Sequence, residues 1–154
     1  MTLIQASQFD ATNETWILNI ATNTMKPGPS LNKARHSHGC SRIRNDSILV
    51  AGGWERGPLK STEILKIGDL EWTYGPDLKE GVHQNHVLKS NSNEYIAYSI
   101  GGRYDPVPTP KIYGLNKEKN EWQHVGNMNE PRTSESALNV PSNMIPWCDV
   151  TNHF

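Results

Sequence analysis

The side chains of this 154-residue chain that could do chemistry are few and scattered. His36 and His38 stand two apart, so on a strand both would face one way and could share a metal ion. No third or fourth ligand recurs beside them, and the expectation is of no metal and no cofactor. Cys40 and Cys148 are isolated, match no CxxC or zinc-ligand spacing and give no disulfide framework. The pairs Gly52-Gly53 and Gly101-Gly102 could suggest a phosphate cradle, but such a loop opens a helix, whereas these pairs end apolar strands. Glycine there serves the backbone, permitting conformations and close approaches that a Cβ forbids. Catalysis is not expected.

Charge names no ligand either. Lys and Arg number 15 against 16 Asp and Glu, a formal net charge of -1, so nothing argues for a nucleic acid or an anionic membrane. The longest apolar runs, such as Ile48-Leu49-Val50-Ala51, fall far short of the roughly 20 residues that span a bilayer. Met1 is followed by neither a basic nor an apolar leader region, which weakly favours a cytoplasmic chain, with an extracellular one possible for a longer parent. Only 35% of residues are apolar and mean hydropathy is -0.65, yet five Trp, five Tyr, 12 Gly and 10 Pro exceed what disorder needs. That composition fits many short strands joined by turns.

A repeat organises them. Thr15 to Leu31 laid over Thr62 to Leu78 aligns Leu18 with Leu65, Ile20 with Ile67, Gly28 with Gly75, Pro29 with Pro76 and Leu31 with Leu78, all 47 apart. Fifty residues further on, Leu65 falls on Leu115, Trp72 on Trp122 and Leu78 on Met128, while the glycine pairs recur 49 apart. Arg35 and Arg132 open corresponding segments, with Val82 in the slot between. Within each unit, β-branched and aromatic runs (47–51 and 94–100) follow Asn/Ser-rich turns and end at the glycine pair. Period-two segments (63–67 and 111–115) then break at Gly68-Asp69 and Asn116-Lys117 before a short Trp-bearing strand. Four strands in about 50 residues is the sign of a β-propeller blade.

The order Arg-x-x-His, apolar strand, Gly-Gly, Glu-apolar strand, Trp, x-Pro-x-Leu resembles the kelch repeat. It reads Ala34-Arg-His-Ser-His38, Ile48-Leu-Val-Ala-Gly-Gly-Trp54, Ser61-Thr-Glu-Ile-Leu65 and Trp72-Thr-Tyr-Gly-Pro-Asp-Leu78 in one copy. The next copy has Tyr98-Ser-Ile-Gly-Gly-Arg103, Ile112-Tyr-Gly-Leu115 and Trp122. The resemblance covers about 16 to 140 and departs where Met25 replaces the Trp and Val82 the Arg. It implies an all-β kelch-type propeller fragment of four-stranded antiparallel blades, two complete and two partial. The expected organisation is the end of a preceding blade over 1–33, kelch repeats over 34–81 and 82–131, a first or ring-closing strand over 132–148 and a tail over 149–154.

The resemblance also implies what the marked residues do. Gly52, Gly53, Gly101, Gly102, Trp72 and Trp122 form the structural signature, the two indoles filling the space between adjacent sheets. The loops after the glycine pairs and before the Arg-x-x-His strands would gather at one mouth. They offer Trp54, Glu55, Arg56, Arg103, Tyr104 and Asp105 from the first set, and Arg35, His38, Asn85, Arg132 and Glu135 from the second. Arg and aromatic side chains favour interface hot spots, so the implied partner is another protein, an extended acidic peptide being the first guess. Arg35 and Arg132 could instead pair only with neighbouring carboxylates or carbonyls. The implied role is a non-catalytic interaction module, in the manner of kelch-containing adaptors of cullin ubiquitin ligases. The rivals are a secreted or cell-surface protein binding carbohydrate or matrix, with sequons at Asn13 and Asn45, and more weakly a fragment of a galactose-oxidase-like enzyme. Two complete blades cannot close a ring, so the remaining blades would come from a longer chain or from oligomerisation.

Overall fold

The structure is a computed structural model that describes residues 2–4, by their backbone, together with 10–134 and 136–139. Eleven strands and no helix form among the described residues. β1 (Thr2–Ile4), β2 (Trp16–Asn19) and β3 (Thr24–Pro27) make a first sheet. β4 (Gly39–Arg44), β5 (Ser47–Ala51), β6 (Thr62–Lys66) and β7 (Thr73–Tyr74) make a second. β8 (His86–Lys89), β9 (Tyr95–Ile100), β10 (Lys111–Asn116) and β11 (Glu121–Asn127) make a third. Every pairing is antiparallel and joins strands consecutive in the chain. The fold is therefore all-β, built of up-and-down antiparallel sheets.

β5 shows why these residues make these layers. Its side chains alternate between two faces. Leu49 and Ala51 join Val82, Val87, Ala97, Leu115 and Trp122 in a core between the second and third sheets. Val50, with Ile48 packed beside it, joins Leu31, Leu65 and Trp72 in a core between the first and second. A strand covered on both faces reads as a continuous apolar run, which is what Ile48-Leu49-Val50-Ala51 is.

The units repeat in geometry as well as in sequence. Ser37, Gln84 and Ser134 each hold a left-handed φ (52°, 54° and 54°), 47 and then 50 residues apart. Gly53 N donates to Val82 O at 2.8 Å, and Gly102 N to Arg132 O at 2.9 Å. The Trp72 indole donates to Pro29 O at 2.9 Å, and Trp122 does the same to Pro76 O at 3.0 Å. Each indole thus reaches back to the carbonyl of the preceding unit, at 3% and 0% exposure. Burying such a ring stabilises the sheet junction by about 4 kcal/mol.

Four local expectations change. β1 was not anticipated, because three residues carry too little pattern to show an element. Trp72 lies just before β7 rather than on an outer strand. Residues 132–139 form no strand among the described residues, and the rest of the expected segment, 140–148, lies outside them, as do the tail and Cys148. His36 and His38 do not share a strand: left-handed Ser37 stands between them, and β4 starts only at Gly39.

Candidate interaction face

The chain doubles back at each glycine pair. Gly52 and Gly53 have φ of 70° and 103°, and a Cβ on them would lie 2.5 Å from Val82 O and 2.9 Å from His36 O. Gly102 (φ 92°) repeats this, 2.7 Å from His83 O. Only glycine fits these turns, by conformation and by space. The turns deliver Trp54 and Arg103 against the residues that lead into β4 and β8. His36 N donates to Trp54 O at 3.1 Å and Trp54 N to His36 O at 2.8 Å. His83 N and Arg103 N exchange the same pair of bonds at 3.1 and 2.9 Å.

Residues opposed in such a bridge put their side chains on one side. The Trp54 ring then meets the His83 ring, centroids 4.8 Å apart. His36, Trp54, His83 and Arg103 therefore form one row across the ends of the second and third sheets. Beyond it, Arg56 (φ 59°) and Asp105 (φ 74°) stand exposed at equivalent places in their loops. Glu55 is 3.8 Å from Lys33 Nζ; Arg103 donates to Pro106 O at 2.7 Å and lies 3.8 Å from Asp105.

Of the residues expected to face a partner, the structure brings Trp54, Glu55, Arg56, Arg103 and Asp105 to this surface, and it corrects others. Arg35 is fully buried. Its guanidinium donates to Gly52 O (2.6 Å), Ser61 O (2.9 Å), Ser61 Oγ (3.1 Å) and Glu63 Oε1 (2.6 Å). The Glu63 carboxylate also accepts from Asn32 N at 2.7 Å and Lys33 N at 3.1 Å. A guanidinium spent inside in this way offers nothing to a partner; it ties the turn to β6 and to the preceding unit.

Asn85 is buried too, its amide donating to Ser99 Oγ at 3.0 Å. His38, at the same repeat position, is half-buried, and its pKa is held down at about 4, chiefly by burial and then by Arg35 and His36. Tyr104 points its phenol into a junction between sheets, where Thr109 donates to it at 3.2 Å. Lys111 there reaches Glu80 at 2.8 Å and holds its carboxyl below the usual range. Arg132 is exposed, and its carbonyl receives Gly102 N. Glu135 lies outside the described residues.

Sequence reasoning missed His36 and His83 as members of this surface. The signal was present, since both are histidine at one repeat position, 47 apart. Burial first, and then Arg103, lower the His83 pKa, so at neutral pH its imidazole is uncharged beside the Arg103 guanidinium. Among the described residues no group of three His, Cys, Asp or Glu side chains could hold a metal ion. A separate cavity of about 620 Å³ opens between the first and second sheets, lined by Ile17, Pro27, Ile48, Leu65, Ile67 and Leu70 among others. No protein-family model matches the chain, and no curated protein matches it in sequence.

Proposed function

We propose that the chain is part of a kelch-type β-propeller and works as a non-catalytic protein-binding module, with the row His36, Trp54, His83 and Arg103 and the loop residues Arg56 and Asp105 as its contact surface. One observation carries this reading: two loops of different sequence are held by the same glycine turns and bridges at the same end of adjacent sheets. A rigid repeated frame that presents differing side chains is the arrangement by which repeat folds recognise partners. Trp54 and Arg103 are hot-spot residue types, a half-buried indole and a half-buried guanidinium on the two neighbouring bridges of the row. An adaptor role, recruiting one protein to a larger assembly, fits such a surface by analogy with kelch-containing adaptors.

The test is titration of a partner isolated with the wild-type chain against variants of the row. Trp54→Ala and Arg103→Ala should each weaken binding by about 1–2 kcal/mol while leaving the urea midpoint near that of wild type. Unchanged affinity in both would remove this face from the binding surface.

A further inference from the structure

We propose that the cavity of about 620 Å³ between the first and second sheets is a binding site for a small, uncharged, apolar molecule. Its volume lies within the roughly 300–1,000 Å³ of sites that hold drug-sized ligands. Ile48 and Leu65, opposed across β5 and β6, make the floor with the core beneath them. Ile17 and Lys26, opposed across β2 and β3, stand on one wall, and the turn Ile67-Gly68-Asp69-Leu70 after β6 is the other. The Trp72 indole, bonded to Pro29 O at 2.9 Å, ties the two walls at one end, so the space is formed before anything enters it.

The fold does not require this place to be apolar. The corresponding turn of the next unit, 50 residues on, is Lys117-Glu118-Lys119-Asn120. Both turns close in the same way, Ile67 N donating to Asp46 O at 2.6 Å and Lys117 N to Glu94 O at 2.8 Å. One backbone thus carries only polar residues in the later unit, whereas in the earlier it presents Ile67 and Leu70 at the cavity, 40% and 86% exposed. Apolar side chains held in water beside an apolar hollow are stabilised when a ligand covers them.

Charge sets the class of ligand. Lys26 and Asp69 are the charged side chains of the lining, opposite in sign, and neither joins an ion pair among the described residues. Set on the two walls they cancel, so neither an anion nor a cation gains by entering. None of the lining residues belongs to the row at the sheet ends, and this site and the binding face therefore stand or fall separately.

The experiment is titration of the 154-residue chain with Nile red, an uncharged dye whose emission rises and shifts to the blue in apolar surroundings, joined to amide chemical shifts by NMR. Saturable binding of one dye per chain is expected, with shifts at Gly28, Leu65 and Gly68, none at His83 or Arg103, and no weakening as salt is raised. Ile67→Lys with Leu70→Asn installs the residues of the next unit and should weaken binding by about tenfold or more while the urea midpoint stays near that of wild type. Leu70→Asn alone, at a position too exposed to disturb the core, should weaken it severalfold. Val107→Ser, at an exposed apolar residue of another loop, should leave the affinity unchanged. Absence of saturable binding, full affinity in the double variant, or shifts confined to other residues would each overturn the proposal, and affinity that falls steeply with salt would overturn the uncharged class. Any of these leaves the binding-face reading standing, since that is decided by Trp54→Ala and Arg103→Ala.

Discussion

Replacing Arg35 tests how the glycine turn is held. Arg35→Met keeps much of the volume but deletes the donors that serve Gly52 O, Ser61 O and Glu63, and it leaves the fully buried Glu63 carboxylate without its cation. Removing one partner of a buried pair costs about 3–5 kcal/mol, against about 0–1 kcal/mol for an exposed one. With both side chains at 0% exposure, the larger figure applies. Glu63→Gln added to Arg35→Met removes the stranded charge and still offers an oxygen to Asn32 N and Lys33 N. The double variant should therefore regain about half of the loss. The chain itself supports this: at the same positions of the next unit stand Val82 and Tyr113, with no ion pair between them. The assay is urea unfolding followed by Trp fluorescence, comparing midpoints at constant slope. An Arg35→Met cost below about 1 kcal/mol, or a double variant worse than the single, would refute the reasoning. Because Arg35 is internal, its loss should act on partner binding only through stability.

Two more outcomes follow from the same packing. His38 titrates near 4 in the fold against an ordinary 6.5, so the unfolded chain binds the extra proton between those values. Stability is then full above pH 6.5 and falls on acidification toward pH 4, by on the order of 3 kcal/mol, a slope that His38→Gln should flatten in urea midpoints taken across that range. Gly53→Ala, meeting His36 O at 2.9 Å with φ at 103°, should cost more than about 2 kcal/mol. Gly57→Ala, with no heavy atom within 4 Å, should stay within about 0.5 kcal/mol, and equal thermal midpoints for the two would argue against the turn's strain.

Strand content, the repeat and the roles of the glycine pairs and indoles were legible because each depends on neighbours in sequence or on a fixed offset. The apolar run Ile48-Leu49-Val50-Ala51 marked a strand before any sheet was seen, and the 50-residue offset paired Trp72 with Trp122. A single left-handed residue, Ser37, escaped that logic, and with it the separation of His36 from His38. Side-chain direction at the loops was not legible either. Arg35 and Arg103 are both arginines beside a glycine turn, yet one is buried and the other half-exposed. What separates them is Glu63, 28 residues away on β6, whose carboxylate draws Arg35 inside. Local pattern thus determined the elements and their spacing, whereas the partners that decide which polar groups face solvent are brought together only when the sheets stack.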